Sequence, residues 1–308
     1  MRHAVSGLRV GVDLGGTKIA AIALAADGAV VGQTRLSAPR DDYRATIGAL
    51  VDCIAEVERQ AGGRGTVGVG MPGSISPVTG RVQNSNSVWL NDTPFAEDVQ
   101  AALARPARFA NDADCFALSE ATDGAGAGAA SVFGAILGTG CGGGIVVGGR
   151  LLAGPNRSAG EWGHSPLPWQ YPEEFPGPTC WCGRRGCLET WISGTGLQMD
   201  HAARTAQVLT AQEILARAAT DATAQETLER HLSRLARALA MIVNTIDPEV
   251  IVLGGGLSQM PHLYERLPGA IRPRVFAAAP VVTVRPPLHG DASGVRGAAR
   301  LWSLDETG

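Results

Sequence analysis

The spacing of apolar and polar residues along the chain predicts an alternation of strands and helices. Short apolar runs bounded by turn residues predict strands over 8–14, 18–24, 29–35, 66–71 and 107–110. Apolar residues that recur at helical spacing predict helices over 46–60, 95–104 and 113–121. This alternation is typical of a sheet with helices packed on its faces, so we expect an α/β fold.

The pattern starts again after the glycine-rich stretch 123–128. A strand over 131–137, a glycine turn over 138–144 and a returning segment over 145–147 repeat the N-terminal plan, which indicates two similar lobes. Further helices are predicted over 211–219, 224–246 and 294–302, and further strands over 250–253 and 281–284. We expect the last helix to pack on the first lobe. The smaller N-terminal lobe then comprises residues 1–117 plus 292–308, and the larger lobe comprises residues 118–291.

The composition is that of a folded globular chain, and it narrows the function classes. Hydrophobic residues make up 45% of the 308 residues and charged residues 18%. The formal net charge of −3 disfavours binding to nucleic acid or to an anionic membrane through a broad basic surface. No apolar run reaches the roughly 18 residues of a membrane span, and no signal-peptide core precedes the first strand. We therefore expect a cytoplasmic protein.

The glycine-rich turn between the first two predicted strands is a candidate phosphate site. Gly15 and Gly16 permit positive φ angles and a close approach of backbone N–H groups, and Thr17 adds a hydroxyl. Lys18 is the only lysine among 26 basic residues, and a compact ammonium suits a phosphate. Asp13 offers a carboxylate that can hold Mg²⁺ through water. An ordinary glycine hairpin is the alternative, since the pattern matches neither a P-loop nor a dinucleotide-binding fingerprint.

Two further glycine loops follow apolar strands. They comprise Gly138, Thr139 and Gly140, with more glycine at 142–144, and Gly254, Gly255 and Gly256. Either loop alone is explained as a turn. Three loops of this kind, each at the end of an apolar strand, indicate a nucleotide held between two lobes.

The segment Asn111–Asp114 carries two carboxylates at the predicted start of a helix. Residues two apart do not share a helix face, so only one of Asp112 and Asp114 can face a cleft. Helix capping explains one aspartate without any catalytic role. A carboxylate at the mouth of a cleft that faces a nucleotide is also where a general base for a hydroxyl nucleophile is expected.

One histidine and three cysteines have the spacing of zinc ligands. They are His164, Cys180, Cys182 and Cys187. This donor set suits tetrahedral Zn²⁺, and four protein ligands leave no open position, so we expect a structural metal. Three buried free thiols are the alternative, and the acidic net charge disfavours a nucleic-acid zinc knuckle. Glu161 and Glu189 flank the element, and two fixed acceptors suit sugar hydroxyls.

Together these motifs resemble those of the ROK family of sugar kinases. The shared elements run from near residue 8 to near residue 302 in the family's order, and they are Asp13–Lys18, Met71–Gly73, Asn111–Ala113, Leu137–Gly140, Glu161–His164, Cys180–Glu189 and Leu253–Gly256. Finer details are similar to the bacterial fructokinase branch, in Pro39–Arg44, Pro72–Pro77, Asn84–Asn91 and His289–Gly297. The related N-acetylglucosamine kinases share the frame and differ most over Asn84–Asn91.

The resemblance implies a two-lobed actin/hexokinase-like (ribonuclease H-like) fold with the active site in the cleft between the lobes. It implies Asp112 as the general base that takes the proton from the sugar 6-hydroxyl. The other sugar-binding residues that it implies are Gly73, Asn86, Asn111, Glu161, His164 and Glu189, of which His164 would also bind zinc. It further implies ATP and Mg²⁺ at the glycine loops, and a homodimer. The family usually has asparagine where this chain has Asp114.

The leading expectation is ATP-dependent phosphorylation of D-fructose to D-fructose 6-phosphate. A kinase of N-acetylglucosamine, glucose or mannose from the same family is the alternative, because these sugars are separated by pocket shape. ROK-like chains also include sugar-responsive repressors, which carry a helix-turn-helix region ahead of the first strand. Only about seven residues precede that strand here, so we expect an enzyme.

Overall fold

The computed structural model describes residues 7–306, which divide into two compact units. The first unit contains the described residues up to Glu120, Leu151–Ala159 and the residues from Asp291 onward, and the second contains Ala121–Arg150 and Gly160–Gly290. The segment 151–159, which we expected in the second lobe, belongs to the first unit. A hydrogen bond of 3.1 Å from Gln83 Nε2 to the Asn156 carbonyl oxygen holds it there. Residues 1–6 and 307–308 of the predicted first lobe lie outside the described residues.

The elements follow the predicted alternation. The strands are β1 (Arg9–Leu14), β2 (Lys18–Leu24), β3 (Val30–Ser37), β4 (Thr66–Met71), β5 (Ser74–Ile75), β6 (Val82–Gln83), β7 (Ala107–Asn111), β8 (Ser131–Leu137), β9 (Cys141–Val147), β10 (Arg150–Leu151), β11 (Val250–Gly254) and β12 (Val284–Arg285). The helices are α1 (Tyr43–Ala61), α2 (Phe95–Leu103), α3 (Asp112–Asp123), α4 (Glu189–Ile192), α5 (Gly194–Thr205), α6 (Ala211–Arg217), α7 (Ala222–Ile246), α8 (Pro261–Ile271) and α9 (Ser293–Ala299). Short 3₁₀ turns include Trp162–His164 and Pro172–Glu174.

The first unit is built on a mixed sheet of five strands in the order β3-β2-β1-β4-β7. β1 pairs antiparallel with β2, and β1, β4 and β7 run parallel. The carboxyl ends of these parallel strands, at Leu14, Met71 and Asn111, therefore lie along one edge of the sheet. Ligands of open α/β sheets bind at such an edge.

The last helix, α9, packs on this sheet through close backbone contacts. A Cβ at Gly11 or at Gly68 would collide with carbonyl oxygens of α9, so both strand positions require glycine. The helix is shorter than the predicted 294–302. The chain leaves it after Ala299, and Trp302 Nε1 then donates a hydrogen bond of 2.7 Å to the Val67 carbonyl oxygen of β4.

The second unit is built on a sheet in the order β10-β9-β8-β11-β12. β8 pairs antiparallel with β9 and parallel with β11, so the carboxyl ends of β8 and β11 meet at one edge. The long helix α7 carries an apolar stripe at helical spacing, in which Ile246 is half-buried and the others are buried: Leu228, Leu232, Leu235, Leu239, Ile242 and Val243. None of the helices within residues 7–306 has the length and apolar content to cross a membrane.

Three differences from the predicted elements have local causes. Leu137 pairs with Cys141, so the turn is restricted to 138–140 and the glycines at 142–144 lie within β9. The strand predicted over 281–284 is reduced to β12, because only Val284 and Arg285 pair with β11. Helices α5 and α8 were missed, since α5 begins with glycines and α8 contains two prolines, which normally mark helix ends.

Candidate active site

The predicted phosphate turn connects β1 and β2 in the first unit. The Gly15 N–H donates a hydrogen bond of 2.9 Å to the Lys18 carbonyl oxygen, and Arg40 Nε donates one of 3.3 Å to the Gly16 carbonyl oxygen. Neither Gly15 nor Gly16 adopts the positive φ angle that glycine permits. Glycine matters at position 15 because it has no side chain: a Cβ there would lie 3.1 Å from the Lys18 carbonyl oxygen. Gly16 and Thr17 are exposed.

Asp13 lies beside this turn, on β1. Burial raises the pKa of its carboxyl group, and the positive charges of Lys18 and Arg35 oppose that shift. Arg35 reaches this position because Asp13, Ala20 and Arg35 form one row across three strands. Arg35 was not predicted from the sequence, because among the basic residues only Lys18 was singled out by its position in a glycine-rich turn. Only the observed strand register, which shifts by one residue between Ala23 and Leu24, brings Arg35 into the row of Asp13.

Asn111 and Asp112 occupy the junction between β7 and α3. Asn111 Nδ2 donates a hydrogen bond of 3.3 Å to the Gly73 carbonyl oxygen, and Asn111 Oδ1 accepts one of 2.9 Å from the Ala113 N–H. Asp112 Oδ1 accepts from the same N–H at 2.8 Å. Asn111 therefore supplies the cap that the capping alternative assigned to an aspartate, and Asp112 is the first residue of the helix, exposed at the positive end of the helix dipole.

Asp114 points elsewhere, in agreement with the helix-face argument. It is half-buried and lines a cavity of about 450 Å³ within the first unit, together with Ser74, Arg108 and Asn111. Asp112 does not line this cavity. The two carboxylates therefore have different surroundings, and Asp112 is the more exposed of the two.

Gly73 and Asn86 complete the predicted residues of the first unit. Gly73 has a φ of 74°, and a Cβ there would lie 2.7 Å from the Ser85 nitrogen, so only glycine allows this approach. The Asn91 side chain holds the same loop, since its Oδ1 accepts from the Ser85 N–H at 2.9 Å and its Nδ2 donates to the Ser85 carbonyl oxygen at 2.8 Å. Asn86, next in the chain, is exposed.

The other two glycine loops meet in the second unit. Gly255 has a φ of 76°, and a Cβ there would lie 2.6 Å from the Leu137 carbonyl oxygen and 3.0 Å from the Gly138 nitrogen. The Gly138 N–H donates to the Gly140 carbonyl oxygen at 3.0 Å, and the Gly194 N–H donates to the Gly138 carbonyl oxygen at 2.7 Å. Among the predicted nucleotide glycines, only Gly255 uses a positive φ angle.

A cavity of about 310 Å³ adjoins these loops. It is lined by Leu137, Gly138, Thr139, Gly194, Thr195, Gln198, Ala211, Gln212, Gly256 and Leu257. The polar residues Thr195, Gln198 and Gln212 were not predicted from the sequence. Ser193 is the one local sign in the sequence that a helix begins at Gly194, because serine is a preferred N-cap residue. Its Oγ caps α5 by accepting a hydrogen bond of 3.0 Å from the Gly196 N–H.

Glu161 is held next to β9 by its neighbours. Trp162 Nε1 donates to the Gly142 carbonyl oxygen at 2.9 Å, and the Trp162 ring packs edge-to-face on Phe133 at 5.3 Å. Gly163 packs so closely on the Cys141 backbone that a Cβ would collide with it. Burial raises the pKa of Glu161, Glu189 raises it further, and His164 opposes both.

Glu189, the first residue of α4, is fixed through both carboxylate oxygens. Oε2 accepts from the Cys141 N–H at 2.9 Å, and Oε1 accepts from Trp181 Nε1 at 2.7 Å. A Cβ at Gly140 would lie 2.6 Å from Oε2, so the glycine loop needs a residue without a side chain at that position. Glu189 was predicted from the sequence as a site residue, and Trp181 was not.

The four predicted zinc ligands come together in the second unit. Their ligand atoms all lie within 4.8 Å of one another, on His164, Cys180, Cys182 and Cys187. Tetrahedral Zn²⁺ with Zn–S bonds of about 2.3 Å separates two sulfur atoms by about 3.8 Å. The observed separations are 3.7 Å between Cys182 Sγ and Cys187 Sγ and 3.6 Å between Cys180 Sγ and His164 Nδ1. The donor set and its geometry therefore fit a zinc ion.

The predicted residues thus form one cluster in each unit. The first unit holds Asp13, Gly15, Gly16, Thr17, Lys18, Gly73, Asn86, Asn111 and Asp112. The second holds Gly138, Thr139, Gly140, Glu161, His164, Glu189, Gly254, Gly255, Gly256 and the three cysteines. Each cluster is ordered by hydrogen bonds within its own unit.

Comparison with known proteins identifies relatives that span nearly the whole chain. The sequence profile of the ROK family matches residues 9–304. An N-acetyl-D-glucosamine kinase of Photobacterium profundum is 40% identical over 296 residues, which cover 94% of this chain and 98% of that protein. An N-acetylgalactosamine kinase of Shewanella sp. (strain ANA-3) is also 40% identical over 296 residues, covering 94% of this chain and 95% of that protein.

Solved structures confirm the predicted fold class. A ROK hexokinase from Thermus thermophilus matches with a TM-score of 0.84 at 32% identity, covering 95% of this chain and 96% of that chain. A ROK family glucokinase from Streptomyces griseus, in complex with glucose and AMPPNP, matches with a TM-score of 0.76 at 26% identity, covering 96% and 98%. The two mixed sheets are thus the two lobes of an actin-like fold.

Proposed function

The chain belongs to the ROK family, and on that premise we propose that it is an ATP-dependent kinase that phosphorylates the 6-hydroxyl of N-acetylglucosamine. The observation that carries the proposal is the exposed Asp112 carboxylate, held at the start of α3 beside Asn111. The choice of sugar is supported by the Photobacterium relative, which is named an N-acetyl-D-glucosamine kinase.

The Photobacterium relative favours N-acetylglucosamine, our alternative, over fructose. The preference for fructose rested largely on Asn84–Asn91, and the structure gives that stretch an architectural role. Asn91 brackets the Ser85 backbone, and Trp89 Nε1 donates to Thr46 Oγ1 on α1 at 3.3 Å. Residues that hold a loop are compatible with several sugars, so their identity is weak evidence for one of them.

Asp112 is the proposed general base. It accepts the proton of the sugar 6-hydroxyl as that oxygen bonds to the γ-phosphorus, while the bond from the γ-phosphorus to the bridging oxygen breaks and ADP leaves with the electron pair. Asn111 positions this step, because its side chain ties the Gly73 carbonyl oxygen to the first turn of α3.

The proposed phosphate contacts lie at the first turn, in the first unit. Lys18 neutralises phosphate charge, and the exposed turn at Gly16 and Thr17 allows phosphate oxygens to approach the backbone. Mg²⁺, when bound, supplies further charge neutralisation at the β- and γ-phosphates, and Asp13 would hold it through water. We place the adenosine in the 310 Å³ cavity beside Gly138 and Gly256.

Glu161, His164 and Glu189 are the proposed hydroxyl ligands from the second unit. Glu189 presents a fixed carboxylate, since each of its oxygens already accepts one hydrogen bond and retains a further acceptor position. The zinc ion would be structural, because four protein ligands complete its coordination. Its role is to hold the loop that carries His164 and leads into Glu189.

N-acetylgalactosamine is the second candidate acceptor. The Shewanella relative, named an N-acetylgalactosamine kinase, has the same 40% identity to this chain. The two sugars share the 2-acetamido group and differ in configuration at C4. The supported substrate class is therefore a 2-acetamido hexose, and the C4 hydroxyl is the point of discrimination.

A coupled ADP-release assay with MgATP tests the proposal. N-acetylglucosamine, N-acetylgalactosamine, glucose, mannose and fructose are compared by kcat/KM. We expect N-acetylglucosamine to lead glucose and fructose by at least about tenfold, or about 1.4 kcal/mol of transition-state preference. A lead for fructose would overturn the sugar assignment and keep the kinase. The absence of ADP release with every sugar would overturn the kinase.

A further inference from the structure

Trp181 lies between two of the zinc-ligating cysteines and contacts two proposed sugar ligands. Its indole Nε1 donates a hydrogen bond of 2.7 Å to Glu189 Oε1. Its ring packs edge-to-face on the His164 imidazole, with the ring centroids 5.0 Å apart. The side chain is nevertheless 63% exposed. An amphipathic ring with its polar end on a site residue and most of its surface open is typical of binding sites.

The contact with Glu189 determines how that carboxylate is presented. Oε2 is held on one side by the Cys141 N–H, and the lack of a side chain at Gly140 leaves room for it. The indole N–H of Trp181 holds the other oxygen. Without this second donor, the carboxylate would keep one anchor and could rotate about it, so its free acceptor positions would no longer point in one direction.

A second exposed tryptophan in the same unit lacks these contacts. Trp169 is 54% exposed, and within the described residues its indole N–H has no hydrogen-bond partner. Its backbone carbonyl oxygen accepts from Arg237 at 2.8 Å, which fixes the main chain and not the ring. Exposure of an aromatic ring in this unit therefore does not by itself lead to a contact with the site.

We propose that Trp181 is a positioning residue for acceptor-sugar binding, which acts by orienting the Glu189 carboxylate. This inference rests on the proposed function, since it assumes that Glu189 accepts a hydrogen bond from a sugar hydroxyl. Trp181 therefore contributes to the affinity for the sugar and not to the affinity for ATP. Because the sugar shares the carboxylate with the indole N–H, sugar binding alters the environment of this one tryptophan.

The test compares Trp181→Phe, which keeps an aromatic ring and removes the donor, with Trp181→Gln, which removes the ring and keeps a donor. Trp169→Phe is the matched control. We expect Trp181→Phe to raise the KM for the sugar about tenfold, the factor that corresponds to about 1.4 kcal/mol. The KM for ATP and the zinc content, measured by elemental analysis, stay at parental values. Trp181→Gln recovers most of the lost sugar affinity.

Tryptophan fluorescence supplies an independent readout. A sugar titration is expected to change the emission of the parent and of Trp169→Phe, and to have no effect on Trp181→Phe. A parental sugar KM in Trp181→Phe, or loss of zinc in that variant, would overturn the inference while the kinase assignment stands. A parent enzyme that neither binds nor phosphorylates any of the five sugars would overturn the proposed function together with it.

Discussion

The buried carboxylate Glu174 offers a quantitative test of what holds the zinc-bearing loop in place. Its side chain is 5% exposed and accepts hydrogen bonds from Arg234 Nε at 2.9 Å and from Arg237 Nη1 and Nη2 at 2.7 Å. The Arg234 guanidinium stacks on Trp191 of α4 at 4.3 Å, and the Arg237 guanidinium lies over Tyr171 at 4.8 Å. The network therefore connects the segment around Glu174 to α4 and α7.

The magnitude follows from the shifted pKa of Glu174. Burial raises this pKa, but hydrogen bonds from Arg237, from the Tyr171 N–H and from Arg234 outweigh burial and lower it from 4.5 to about 2. A shift of this size corresponds to about 3 kcal/mol of folding free energy, present above pH 4.5 and lost as the pH falls toward 2. Removing one member of a buried ionic network also costs about 3–5 kcal/mol, because the partner charges remain buried.

We therefore expect Glu174→Gln to lower the free energy of unfolding by about 3 kcal/mol at pH 7. Urea denaturation followed by circular dichroism measures this change, and the gap to the parent should narrow between pH 5 and pH 3. Glu56→Gln is the matched control. The pKa of Glu56 is also lowered to about 2, by hydrogen bonds from Arg59 and Gln60, but the pair is exposed and water screens it, so stability should stay close to the parent.

A loss of less than about 1 kcal/mol in Glu174→Gln, the range of exposed ion pairs, would refute this reasoning. A gap to the parent that does not change between pH 5 and pH 3 would refute the titration argument in particular. Equal losses in Glu174→Gln and Glu56→Gln would show that burial does not distinguish the two carboxylates.

Three further predictions concern the two clusters. Cys182→Ser should release zinc, measured by elemental analysis, and unchanged metal content would contradict the four-ligand site. Lys18→Ala should raise the KM for ATP more than the KM for the sugar, and the reverse order would move Lys18 away from the phosphates. Gly73→Ala should lower the free energy of unfolding by at least about 1 kcal/mol, because its φ of 74° and its contact with Ser85 exclude a side chain. A parental denaturation curve would contradict that constraint.

Features that depend on neighbouring residues were predictable from the sequence. The helical stripe of α7 and the strands around the first turn follow from local periodicity, and their observed bounds lie close to the predicted ones. The zinc site also rests on local spacing, because Gly183 and Gly186, with φ angles of 86° and 69°, close the loop that brings the cysteines together.

Features that depend on distant pairs were not predictable. Glu174 meets Arg237 across 63 positions of the chain, and no periodicity connects them. Arg35 is brought into the row of Asp13 only by the register of three strands. The sequence shows Trp181 only as a residue between two cysteines, and its hydrogen bond to Glu189 is a property of the folded loop. The expectation of fructose also rested on a stretch, Asn84–Asn91, in which Asn91 makes tertiary contacts that hold the loop at Ser85 and that the sequence does not reveal.

The central claim is that Asp112 activates the 6-hydroxyl of an N-acetylhexosamine for transfer of the ATP γ-phosphate. The most direct measurement is ³¹P NMR of the product, with the parent and Asp112→Asn compared at equal enzyme concentration. The account predicts N-acetylglucosamine 6-phosphate from the parent. It also predicts a turnover lower by about 10²–10⁴-fold in the variant, the contribution of a general base, with folding unchanged. Near-parental turnover in Asp112→Asn, or no phosphate on any amino sugar, would contradict it.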